Sequence, residues 1–166
     1  MTDLCVKILR ISSLLIISGF SASAEDERQF DAKVSGFQVV PPQLNNGKGA
    51  FKATLNAGGT SLSYSLTFSG LGIATSTEIH FAQPGVVGPA LVRLCGEANR
   101  PCPIGGKTAT GTITAADVTL EGSTNANGLK PGDFAGLLRI IQSGTAYIEI
   151  HDAVGQFVRG QIRPDD

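Results

Sequence analysis

Residues 61–68 read Ser-Leu-Ser-Tyr-Ser-Leu-Thr-Phe, and they alternate without a break. Leu62, Tyr64, Leu66 and Phe68 are apolar, while Ser61, Ser63, Ser65 and Thr67 are polar. A period of two belongs to a β-strand, whose successive side chains point to opposite faces. A helix would scatter the same residues around its circumference. Further strands are predicted at 30–34, 49–55, 75–81, 90–94, 108–114, 145–151 and 156–162. The punctuation between them fits. The chain holds 21 glycines, and most of them sit between apolar stretches, where tight turns are needed. Asn56-Ala-Gly-Gly59 should turn a hairpin between 49–55 and 61–68. Val39-Val40-Pro41-Pro42 must leave a regular ladder, because proline has no N–H to donate.

One helix is predicted, over 133–141. Asp133 can cap its start, and Phe134, Leu137, Leu138 and Ile141 recur at helical spacing, with Gly144 as the stop. In strand 75–81, Ile79 points inward if Glu78 and His80 face out. Residues 83–89 read as a loop, 115–120 are ambiguous, and 122–132 form a polar connection. No solenoid-type repeat is present. The expectation is an all-β sandwich or barrel of about eight strands with one short helix.

The 166 residues fit one domain after a leader. Lys7 and Arg10 precede an apolar stretch over 11–20, and Ala22-Ser23-Ala24 is a small-residue cleavage site. Together they predict a signal peptide at 1–24 and a mature β domain at 25–166. The apolar stretch is short of the roughly 20 residues that span a bilayer, and no later stretch is long enough. The mature chain should therefore carry no transmembrane segment, and it is expected to be exported, periplasmic or secreted. Cys5 leaves with the leader. Cys95 and Cys102 remain, and in an oxidising compartment they are expected to form a disulfide. Their six-residue spacing is a poor match for the competing metal or redox pair.

The formal net charge of −1 offers no footprint for nucleic acid or an anionic membrane. No G-x-S-x-G, P-loop or dinucleotide glycine motif occurs. With no Trp and two Tyr, no stacking platform is evident. No catalytic residue is assigned, and the chain reads as a non-enzymatic binding or structural module. Its expected partner is an extracellular protein or a component of the cell envelope.

One pattern carries chemistry. The only two histidines, His80 and His151, each end the same tripeptide, Glu78-Ile79-His80 and Glu149-Ile150-His151. Residues two apart on a strand share a face, roughly 6.5–7 Å apart. If the two strands are neighbours, His80, His151, Glu78 and Glu149 could converge as ligands of one transition-metal ion, Cu, Zn, Fe or Mn. That is the alternative function: a mononuclear metal-binding domain, redox-active in one form. The competing explanation is the polar face of a half-buried strand in water. Imidazoles more than roughly 8 Å apart could not share an ion at ligand distances near 2 Å. Arg159, on the closing strand, is expected to make an ordinary strand-face ion pair, with an anionic ligand as the other option.

Several segments resemble the CHRD (chordin-type) domain. Phe30-Asp-Ala-Lys-Val-Ser-Gly-Phe-Gln-Val-Val-Pro-Pro42 looks like its opening strand and G-x-x-x-V-P-P. Residues 47–70, closed by Phe68-Ser-Gly and followed by Leu71, are similar to its next hairpin. Glu78-Ile-His80 followed by Pro84-Gly-Val-Val-Gly-Pro-Ala-Leu-Val92 resembles H-I-H-x-x-x-x-G-x-x-G-P-V. Tyr147-Ile-Glu-Ile-His151 and Val158-Arg-Gly-Gln-Ile162 resemble the closing Y-V-N-V-H and E-I-R-G-Q-L. The resemblance implies an immunoglobulin-like, superoxide-dismutase-like Greek-key β-sandwich or barrel. It also implies an extracytoplasmic setting, and no settled activity. Glu78 stands where the family has the first histidine of H-I-H. Two histidines are too few for a dinuclear dismutase site, so only a simpler mononuclear site is compatible with this chain.

Overall fold

The computed structural model describes residues 28–105 and 107–165. The predicted signal peptide at 1–24 lies outside them. The strands are β1 (Gln29–Ser35), β2 (Lys48–Leu55), β3 (Leu62–Ser69), β4 (Ala74–Phe81), β5 (Ala90–Cys95), β6 (Thr108–Ile113), β7 (Ala146–Asp152), β8 (Phe157–Gln161) and the two-residue β9 (Arg163–Pro164). Each predicted strand forms, to within a residue or two at its ends. Only β9 was not foreseen. Among the described residues one α-helix forms, α1 (Phe134–Gln142), and the Asp133 side chain caps it by accepting from the Gly136 N–H.

Eight strands pair antiparallel in the order β5-β4-β7-β8-β1-β2-β3-β6, and β9 adds beside β1. Residues 70–73 carry the chain from β3 to β4 in the other half of the sheet, and β6 returns to pair with β3, which is Greek-key connectivity. The sheet curls into a nearly closed, barrel-like shell. Its two edge strands, β5 and β6, share no ladder. Residues 115–122 cover that seam, with an isolated bridge from Val118 to Val92. Tyr64, on β3, also sends its hydroxyl to the Leu94 carbonyl at 3.4 Å.

Alternation sorts the side chains. Phe30, Ala32 and Val34, then Phe51 and Ala53, then Leu62, Leu66 and Phe68 line the interior from one half of the sheet. Ile79, Ile148, Ile150 and Val158 fill it from the other. Fully burying each such Leu, Ile, Val or Phe contributes roughly 1.5–3 kcal/mol. The helix closes one end. Phe134, Leu137 and Ile141 are buried as the spacing predicts, but Ile140 is buried where Leu138 was expected, and Leu138 packs only partly against the core.

Cys95 and Cys102 form the predicted disulfide. It ties the end of β5 to the loop leading to β6. The ambiguous stretch 115–120 resolves into short 3-10 turns at Ala115–Asp117 and Leu120–Gly122. Among the described residues no helix is long and apolar enough to cross a membrane.

Candidate functional site

Because Ile79, Ile148, Ile150 and Val158 point inward, their strand neighbours point outward. The antiparallel register then lays these neighbours in rows across β5, β4, β7 and β8. Arg93 pairs with Glu78, Glu78 with Glu149, and Glu149 with Arg159. The next row holds His80, Tyr147 and Gln161, and the row on the other side holds Ser76, His151 and Phe157.

This outer face is not open to water. Glu78 and His80 are each 8 % exposed, Tyr147 1 % and Arg159 2 %. Residues 82–89 fold over it. The Gly88 carbonyl lies 3.1 Å from His80 Nδ1, and the Gly88 N–H donates to the Tyr147 hydroxyl at 3.2 Å. Gln161 donates to the Ala82 carbonyl and Arg159 to the Gln83 carbonyl. Gly88 is required for this close approach, since a Cβ there would strike the Phe81 carbonyl. On the other flank, the Arg93 guanidinium bridges Glu78, at 2.8 Å, and Glu121. The solvated polar face that alternation allows is therefore replaced by a covered one.

Each histidine is held against the glutamate of its own tripeptide. His80 Nε2 lies 3.3 Å from Glu78 Oε2, too poorly aligned for a hydrogen bond, and the buried Nε2 has no hydrogen-bond partner among the described residues. The His80 imidazole, helped by Arg93, holds the Glu78 carboxyl below the usual range against desolvation. His151 Nε2 meets Glu149 Oε2 at 3.0 Å. That bond is the main reason the His151 imidazole is raised above its ordinary value, with desolvation opposing. Tyr147 is flanked by partners from both neighbouring strands. The His80 ring stacks on it at 4.8 Å, with the planes 11° apart, and the Arg159 guanidinium carbon sits 3.4 Å from its centroid.

The two Glu-Ile-His tripeptides thus lie on neighbouring strands, as the convergence idea requires, but their register splits the histidines. Glu78 faces Glu149, whereas His80 faces Tyr147 and His151 faces Ser76. Along the ladder the two histidine positions are four residues apart, about 13 Å of strand. Each imidazole stays with its own carboxylate. Among the described residues no group of three or more His, Cys, Asp or Glu is placed to hold a metal ion.

Arg159 departs from expectation. No carboxylate among the described residues lies within ion-pair distance of it. Its register partner Glu149 is turned to His151. Arg93 and Glu121 were not foreseen as members of the site. The cue for Arg93 lay in the β4–β5 hairpin, but β5 takes two extra residues there, with register shifts between Thr77 and Glu78 and between Ile79 and His80. Simple counting misaligns such a pair.

A family model described as the CHRD domain matches residues 30–163. No curated protein and no solved structure matches the chain.

Proposed function

The chain belongs to the CHRD domain family, and on that footing we propose that it is an exported, non-enzymatic binding module. It presents the segments that cover and border the outer side of β5-β4-β7-β8 to an extracellular protein or a cell-envelope component. One observation carries this reading. Phe37, Val86 and Val87 are large apolar residues left 67 %, 51 % and 66 % exposed, and they belong to the segments that border the ordered charged rows. Exposed apolar residues beside held polar groups are the composition of a recognition surface. Export is supported by the basic, apolar and small-residue order of residues 1–24.

Photo-crosslinking in cells tests it. A crosslinking residue replacing Val87 should give a discrete adduct, and one replacing Lys52, on β2 of the opposite half, should not. The chain should be recovered outside the cytoplasm, shortened at Ala24. Retention in the cytoplasm at full length would sink export. Equal adducts from both positions, or none from position 87, would sink the recognition face.

A second reading is one transition-metal ion, Cu, Zn, Fe or Mn, held at His80 with Glu78 or at His151 with Glu149. It is favoured by the buried His80 Nε2, which lacks a hydrogen-bond partner among the described residues. Elemental analysis of tag-free protein exposed to each metal, beside His80→Ala and His151→Ala, decides it. Metal-free protein after all four exposures ends this reading.

A further inference from the structure

We propose that Arg159 anchors a groove for a small apolar monocarboxylate, a medium-chain aliphatic acid. This rests on the reading of the chain as a binding module and names a ligand class for it. Arg159 is 2 % exposed, yet its charge is balanced by no carboxylate within 4.0 Å among the described residues. Guanidinium does not shed its proton, so burial leaves a cation in need of an anion. The Tyr147 face takes one side of it, and one N–H goes to the Gln83 carbonyl at 3.2 Å. Its other donors have no protein acceptor among the described hydrogen bonds. Glu149 lies directly across the ladder and acts on Arg159 only at longer range, because its carboxylate is committed to His151.

Beside the guanidinium lies a groove of about 310 Å³. Phe37, Val39, Pro42 and Pro84 form apolar parts of its lining, and Gln38, Arg159 and Gln161 are the polar ones. The Gln161 amide already donates to the Ala82 and Gly144 carbonyls and the Gln38 amide to the Lys33 carbonyl, and Arg159 is the cationic donor of the lining. An apolar wall with one convergent cation suits a carboxylate with a hydrocarbon tail, and the volume is at the small end for ligand sites. A peptide is disfavoured. Strand addition needs a free edge, whereas β8 is paired on both sides, to β7 and to β1. Two of the wall residues are prolines, which offer no N–H.

Calorimetric titration of the mature protein with octanoate, octanol and acetate tests the assignment. Octanoate should saturate one site. Octanol, which lacks the charge, and acetate, which lacks the tail, should each bind at least about tenfold more weakly. Arg159→Gln should lose binding, and Arg159→Lys should restore part of it. Phe37 is exposed, so Phe37→Ser should fold normally and weaken octanoate severalfold. If Arg159→Gln does not fold, Phe37→Ser and octanoate-induced amide shifts confined to residues 37–43 and 83–86 decide instead. The proposal fails if octanoate does not bind, if octanol binds as tightly, or if Phe37→Ser changes nothing. Failure here with position-87 adducts intact removes the groove alone. Octanoate binding without those adducts removes the partner face alone.

Discussion

The Arg159 guanidinium carbon lies 3.4 Å from the centroid of the Tyr147 ring. Tyr147 also carries the stacked His80 ring, so one side chain positions two functional candidates. Replacing it by leucine removes the ring faces from both, with an expected loss of about 2–4 kcal/mol. Tyr147→Phe keeps the faces and loses only the Gly88 contacts, about 1 kcal/mol. Urea unfolding of the two variants measures the gap. Equal losses would show that the ring face does not hold Arg159.

Gly88→Ala should lift residues 82–89 from the sheet, because the added Cβ meets the Phe81 carbonyl. We expect a loss of about 1–3 kcal/mol and faster hydrogen exchange at the Phe81 amide, which is bonded to the Pro89 carbonyl. Unchanged exchange would mean that the segment can slide to make room.

The raised His151 imidazole gives stability a pH dependence. Its bond to Glu149 favours the protonated ring. The stabilisation is complete below the unfolded value near 6.5. It is lost as pH rises through the higher folded value. Stability should therefore decline with rising pH from about 6.5 upward, and His151→Gln should flatten that decline. Denaturant midpoints across this range provide the check, and an equal slope in the variant would assign the decline elsewhere.

Thr77 is fully buried, and its hydroxyl has no protein partner among the described residues. An unpaired buried hydroxyl costs free energy that a methyl group of similar shape does not. Thr77→Val should raise stability by about 1 kcal/mol. A lower melting temperature would instead reveal a partner for Thr77 Oγ1 in solution.

The disulfide closes a loop with a sequence separation of 7. Loop-closure entropy for so short a loop gives about 2.5 kcal/mol. The Cys95→Ser, Cys102→Ser double variant should melt like the reduced wild-type protein. A clear difference between them would point to packing at the sulfurs rather than to the cross-link.

The strands were legible because Leu62, Tyr64, Leu66 and Phe68 declare their face by alternation, and Ile79 between Glu78 and His80 does so too. Pairing was not legible. Two copies of Glu-Ile-His on antiparallel neighbours can align only one residue type, and here the glutamates align while the histidines part. Nor could alternation show what lies on top of an outward face. The cover depends on Gly88, on Arg93 reaching Glu121, and on two bulges in β5, all of which need the chain in three dimensions. The environment of Arg159 was hidden for the same reason. Its neighbour across the ladder is a glutamate, but that glutamate has another partner.

The seam between β5 and β6 has a consequence beyond the site. An incompletely closed shell keeps two strand margins whose backbone groups could recruit a neighbouring molecule. Val118, the Tyr64 hydroxyl and the cross-linked turn after β5 occupy that gap from within the same chain. They screen part of those margins from pairing with a second chain, without sealing the wall.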